Sequence, residues 1–406
     1  MGLPRMAQVK QIFDVSQIED VPGEVRRQLA AFGLAQRVKP GMRVAITAGS
    51  RGIANMAEII ATAVAELRRA GAEPFVVPAM GSHGGATAEG QREMLAGYGI
   101  VEERVGAPIV SAMDVVEIGH TPSGVPVWMD RNAYGADGIL VVNRVKAHTA
   151  FKAPNESGLM KMMAIGLGKR QGADTYHRHD LGRTVLEAGR VALAKAPIMG
   201  GLGIVENSRD QTWKIVATPP ETMEEVDRNL LVDANSLLPR IPFATLDVLV
   251  VDEMGKNISG TGMDLNVIGM WRRLGGEQKP YFKYIVVLDL TAESHGNALG
   301  VGMADLTTKR LVDKIDLKAT YTNVVTTNFF ATGKIPVTMA TDREAIETAF
   351  KTFDSAHARA VRVKNTLALE NMWVSEGLLP EVRQNPNLVV LDDPRPIAFA
   401  ADGTLL

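Results

Sequence analysis

A chain of 406 residues with 46% hydrophobic and 22% charged side chains has a globular composition and enough apolar material for two buried cores. Its formal charge of −2 offers no footprint for a polyanion, so nucleic acid is not an expected partner. The absence of cysteine excludes disulfides, thiolate-held iron–sulfur clusters, cysteine-ligated zinc and cysteine nucleophiles together. The N-terminal stretch lacks an apolar signal region and no apolar run reaches the ~18 residues of a membrane span. A cytoplasmic protein without a membrane partner is therefore expected.

Residues 43–47 read as a buried strand, followed by the turn Ala48-Gly49-Ser50-Arg51-Gly52. In the next piece Met56, Ile59, Ile60, Ala63, Val64 and Leu67 recur at helical spacing, with Gly71 as the stop. Residues 74–77 begin a second strand, which ends in a glycine-rich loop around His83 before a helix over 88–97. Strand, glycine-rich loop and helix, twice over, are the pattern of a doubly wound α/β layer. A third strand spans 138–145, and the segment 148–177 leaves its C-terminal end. Ligands of open α/β sheets sit beyond the strands' C-terminal ends, so the loops around Arg51, His83 and His148 are expected to converge. A helix over 183–196, two strands and a helix near 220–236 follow. Residues 237–243, with Pro239 and Pro242, read as a hinge.

Beyond it come a strand over 245–252, a strand over 284–289, helices near 303–314, 317–331 and 342–353, and strand-like pieces around 358–365 and 387–391. The expected fold is α/β: two α/β domains with Rossmann-like parallel or mixed sheets and an active-site cleft between them. Their expected limits are 1–240 and 245–389, with a C-terminal strip, 390–406, returning to the first domain.

Chemistry concentrates in residues 144–180, which carry three of the seven histidines, His148, His177 and His179. Imidazoles and lysines in a glycine-punctuated, mostly apolar segment are costly to bury without a purpose. His83, between Gly81 and Gly85, lies in a loop too glycine-rich for a core element; it is either a catalytic imidazole or a solvated one. Arg51 sits at a strand-to-helix turn, a place that suits an anionic ligand and equally an ordinary surface arginine. Gly166-Leu167-Gly168-Lys169 is not a P-loop, since the leading glycine spacing and the following Ser/Thr are missing. His177-Arg178-His179 is either a weak metal pattern or a solvated turn. His120 and His357 have no partners in the pattern and read as structural. Loops over 255–262 and 293–297 fall at strand ends, as cleft-facing loops do.

Taken together, these loops resemble the lactate racemase family, the nickel-pincer-nucleotide-dependent racemases and epimerases of 2-hydroxy acids. The resemblance is strongest over 43–180. In that family a pyridinium-3,5-bisthiocarboxylate mononucleotide is tethered to a lysine and holds nickel through two sulfurs and a ring carbon, with one histidine as the fourth ligand. Here Ser157-Gly158-Leu159-Met160-Lys161 supplies the lysine, Gly166 follows as in the family, and His177 comes sixteen positions after Lys161. The resemblance implies that Lys161 tethers the cofactor beside Ser50, Arg51, Gly158 and Gly166, and that His177 ligates nickel. It also implies that His83 and His148 are the catalytic pair and that Arg51, Lys256 and His295 bind substrate. The sequence departs from the pattern at Ala48, where the family has an acidic residue, and at Met160, where it has arginine. The family's second-domain lysine aligns near Asn266, with Lys256 as its spatial substitute.

The implied reaction is racemisation or epimerisation of a 2-hydroxy acid by reversible hydride transfer through a 2-keto acid. Two histidines suit it, because an imidazole titrating near ~6.5 serves as base for one stereoisomer and acid for the other. Cofactor-biosynthesis enzymes are the implied protein partners. Two other readings stand beside this one: a non-catalytic storage protein for the same nucleotide, and a nicotinamide-dependent 2-hydroxy acid dehydrogenase. Against the latter, no G-x-G-x-x-G follows an early strand.

Overall fold

A computed structural model describes residues 2–50 and 52–406. The chain divides into two compact units, one of Asp14–Leu238 and one of the residues up to Phe13 together with Pro239–Leu406. It crosses between them at Phe13/Asp14 and at Leu238/Pro239, the second crossing inside the two-proline stretch.

The strands, in chain order, are β1 (Arg5–Gln11), β2 (Arg43–Ala48), β3 (Glu73–Pro78), β4 (Val115–His120), β5 (Pro126–Asp130), β6 (Gly138–Arg144), β7 (Ile198–Glu206) and β8 (Thr212–Thr218). They continue as β9 (Thr245–Met254), β10 (Tyr281–Leu290), β11 (Leu306–Thr308), β12 (Val337–Met339), β13 (Ala360–Val363), β14 (Asn371–Ser375), β15 (Leu388–Val390) and β16 (Arg395–Pro396).

In the Asp14–Leu238 unit the main sheet runs β3-β2-β6-β7-β8, parallel except for β8. Its central strands are apolar without alternation because both faces are covered. Val44 and Ile46 of β2 point to one core, shared with Ile59, Ile60, Ala63 and Leu67 of the helix Met56–Arg69. Ala45 of β2 and Ile139 and Val141 of β6 point to the other, shared with Leu159, Met160, Met163 and the helix Leu181–Lys195. The segment that carries the family-like lysine thus lies flat on one face of the sheet. An antiparallel ribbon, β4–β5, which the sequence reading leaves out, packs into the same core through Val127 and Met129.

In the other unit the order is β12-β11-β10-β9-β13-β14-β1-β15, with β16 paired to β1. Here the structure departs from the expected limits. β1 is hydrogen-bonded between β14 and β15, and Ala7 and Val9 share a core with Val361, Met372 and Val374. The first residues belong with Pro239–Leu406 rather than with the domain expected over 1–240. The strip 390–406 also stays in this unit, where Ile397, Phe399 and Leu405 pack against Met6, Val248 and Ile346. The helix expected near 303–314 is a short 3-10 turn, the strand β11 and the helix Lys309–Asp313. The β-branched pair Thr307 and Thr308 selects the strand, each hydroxyl donating to a carbonyl of β10, those of Val287 and Leu288.

No helix among the described residues is long and apolar enough to cross a membrane.

Candidate functional site

β2, β3 and β6 are parallel neighbours, so their C-terminal ends emerge on one edge of the sheet. From β2 the chain moves outward to β3 and later returns to β6 on the opposite side of β2. A reversal of this kind opens the crevice in which α/β sheets hold ligands. Four contacts close the three turns around it. A short hydrogen bond joins His83 Nδ1 to Ser50 Oγ, and Tyr98 Oη donates to the Ser50 carbonyl at 2.9 Å. Asn143 Nδ2, at the end of β6, donates to the Gly158 carbonyl at 3.0 Å. Gly81 N–H, two residues before His83, donates to the Gly166 carbonyl at 3.2 Å. Ser50, His83, Gly158 and Gly166 therefore belong to one connected region. Arg51 lies outside the described residues.

The presentation of Lys161 follows from the backbone around it. Ser157 pairs with Lys146 through both backbone bonds, 2.7 and 3.2 Å. One helical turn, Leu159–Lys161, runs into a π-helical stretch, Met162–Gly166, a geometry frequent at functional sites. Leu159, Met160, Met162 and Met163 are buried, which leaves Lys161 half-buried with Nζ 3.4 Å from Ser157 Oγ. The turn begins on Asp227, whose Oδ1 accepts from Leu159 N at 2.6 Å. Gly158 is required there, since a Cβ would stand 2.0 Å from that oxygen. At Gly166 a Cβ would lie 2.6 Å from Met162 Sδ and 2.8 Å from the Ala79 carbonyl.

Asp227 is the functional candidate that sequence reasoning missed. It sits 68 positions from the turn it caps, so no local spacing announces it. Asn155 Nδ2 donates to Asp227 Oδ2 at 3.0 Å and to the Glu224 carbonyl at 2.9 Å. Burial pushes the Asp227 carboxyl above its ordinary value, against the lowering by Asn155 and by the N–H groups of Leu159 and Met160. A raised folded pKa means that the native state binds a proton which the unfolded state does not, between 3.8 and the folded value. As pH falls through that window, wild type therefore gains stability relative to an Asp227→Asn variant. Urea unfolding of both proteins between pH 7 and pH 4 checks the sign; a gap that widens against wild type on acidification refutes it.

His148 is held locally. Its ring stacks on Phe151 with centroids 4.2 Å apart, and its backbone N–H donates to Glu156 Oε2 at 2.5 Å. Nδ1 accepts from the Ala150 N–H at 3.0 Å, which sets the proton of the neutral ring on Nε2. His177 is exposed at the end of the helix Lys169–Tyr176, its backbone N–H donating to the Ala173 carbonyl at 3.1 Å. His179 is exposed as well. Beside these histidines Tyr176 is fully buried, its phenol pushed up to about 12 by burial.

Lys256 and His295 lie in the other unit, in the turns that follow β9 and β10. Those parallel strands bring the two turns together: Ser294 Oγ accepts from Lys256 N at 3.0 Å and donates to the Asn297 carbonyl at 2.6 Å. Lys256 Nζ donates to the Gly260 carbonyl at 2.7 Å. His295 is exposed and takes a left-handed conformation, φ +48°, costly outside glycine and typical of binding turns. Among the described residues no cluster of three or more His, Asp or Glu side chains forms a metal site made by protein alone.

A parallel sheet whose C-terminal turns are tied together at its topological reversal defines an α/β fold of the kind that holds ligands at that edge. Residues 7–187 match the family model of the lactate racemase N-terminal domain. The fold agrees: the lactate racemase apoprotein from Thermoanaerobacterium thermosaccharolyticum superposes with a TM-score of 0.55 at 11% identity, over 90% of this chain and 99% of that one. Comparison with curated protein sequences gives no match.

Proposed function

We propose that this protein interconverts the stereoisomers of a 2-hydroxy acid, with a nickel-pincer nucleotide tethered at Lys161 and its metal held by His177. The observation that supports the reading is that hydrogen bonds tie the Ser50, His83 and Gly158–Gly166 turns together at one edge of the sheet. The residues fit the group. A half-buried primary amine among buried methionines can be held uncharged in an amide-type link, and neutral imidazole is a suitable nickel ligand. The close approaches at Gly158 and Gly166 hold the tethering turn where a side chain would push it away.

When bound, the nucleotide supplies the redox step of the reaction. The chain supplies orientation and proton handling. With Nδ1 of His83 bonded to Ser50 Oγ, the ring is fixed and proton exchange falls to Nε2. In neutral His148 the proton is on Nε2, so that nitrogen is the one that exchanges it. Two imidazoles, each with its Nδ1 engaged and its Nε2 left for proton exchange, suit a reaction that must run from both stereoisomers. Because His177 ligates only as the neutral ring, metal retention should fall on acidification.

Production of the protein alongside enzymes that make the nucleotide, followed by intact-mass measurement, tests the reading. The expected result is an adduct that Lys161→Ala abolishes and a nickel content that His177→Ala lowers. An unmodified wild-type chain sinks the proposal. An adduct without stereoinversion of any member of a panel of chiral 2-hydroxy acids leaves a storage protein instead.

A further inference from the structure

Lys169 has no role in the reading above, yet it is the most completely buried cation among the described residues, with no exposed surface and a left-handed backbone, φ +51°. Its ammonium stands 3.1 Å from Asp130 Oδ2, also fully buried, and donates to the Pro78 carbonyl and to Gln91 Oε1, the latter at 3.1 Å. An ammonium has three donors and no acceptor; two of them reach the Pro78 and Gln91 oxygens, and Asp130 Oδ2 stands beside it as the counter-charge. Each oxygen comes from a different element: the end of β3, the end of β5, and the helix Ala88–Gly97 that follows the His83 loop.

The consequence lies in the amide of Gln91, which is itself fully buried. A lysine can face only the oxygen of that amide, so the NH₂ must turn the other way. There it donates to the Gly81 carbonyl at 3.0 Å and the His83 carbonyl at 3.2 Å. These are the flanks of the His83 turn, and Gly81 is also the residue tied to Gly166 beyond the Lys161 turn. Gly84 seals the same contact, since a Cβ there would stand 2.7 Å from Gln91 N. A bare turn of Gly81, Gly84 and Gly85, all at positive φ, would otherwise have many conformations to choose from.

We propose that Lys169 and Gln91 are positioning residues for His83: the buried ammonium orients the Gln91 amide, and the amide clamps the turn so that the imidazole meets Ser50. This rests on the reading that His83 exchanges a proton with substrate, but the clamp itself is measurable without cofactor or substrate.

The experiment is ¹⁵N NMR of the His83 ring in the full chain without cofactor, comparing wild type with Gln91→Met, which keeps the length and removes both amide donors. The expected result is a changed His83 tautomer signature with the fold retained, and, in loaded enzyme, a fall in kcat that exceeds any change in KM. A folded Gln91→Met protein with the wild-type His83 signature overturns the proposal. A second measurement needs no variant. In wild type the side-chain amide protons of Gln91 should exchange with water roughly tenfold or more slowly than those of exposed Gln384; equal rates also overturn it. If the clamp is found and Lys161 carries no adduct, the functional reading fails and the clamp stands.

Discussion

Under the proposed function, replacing His83 by alanine is expected to slow stereoinversion of a 2-hydroxy acid by about 10²–10⁴-fold, the usual worth of a positioned acid–base group. The change should leave the rest of the protein almost untouched. The ring is exposed and its recorded side-chain partner, Ser50 Oγ, stays half-solvated, so stability should move by no more than about 0.5 kcal/mol. Lys161 stands on its own turn, with Nζ 3.4 Å from Ser157 Oγ, and His177 at the end of a separate helix, so adduct mass and nickel content should equal those of wild type. Chiral chromatography of the acid after incubation reads the rate, and intact mass reads the adduct. An undiminished rate removes His83 from the chemistry. A lost adduct would show instead that the imidazole helps to hold the nucleotide, which is a different role in the same crevice.

The features of this crevice that can be read from the sequence are those fixed by short-range pattern. The helix expected over 88–97 is the helix Ala88–Gly97, because Thr87 supplies a side-chain cap to Gly90 N and the apolar spacing is local. β2 and the helix Met56–Arg69 follow for the same reason: one is a buried apolar run and the other an amphipathic stripe. What cannot be read is whatever depends on partners far along the chain. β1 finds β14 across more than three hundred and fifty residues, and nothing in residues 5–11 names that partner. Asp227 caps the Lys161 turn from another helix. Lys169 is the sharpest case. In the sequence it ends a broken P-loop pattern and looks solvent-seeking; in the fold it is a counter-charge for Asp130, 39 positions earlier, and its chemistry is visible only once both are buried together.

That pair carries the largest stability prediction. Asp130→Ala removes the carboxylate paired with a fully buried ammonium, and breaking a buried pair in this way costs about 3–5 kcal/mol. The same carboxylate caps the short helix Arg131–Tyr134, accepting from Asn132 N at 2.8 Å and Ala133 N at 2.9 Å, worth about 1 kcal/mol more. Against a typical total of about 5–15 kcal/mol, the variant should be marginal. Lys169→Met should lose less, because the orphaned carboxylate keeps those two N–H donors while methionine fills the ammonium's space. Burial holds the Lys169 pKa below its ordinary 10.5, and Asp130 opposes the drop. Without Asp130 the folded value must fall further. Between the two folded values the variant's native state has shed a proton that its unfolded chain and the wild type still hold, so its stability rises with pH there. The Asp130→Ala deficit should therefore narrow as pH rises between the two folded values and stay level above them, and denaturant unfolding across about pH 5 to 10 measures it. A deficit that is constant or growing over that range would mean that the ammonium is not the group left stranded.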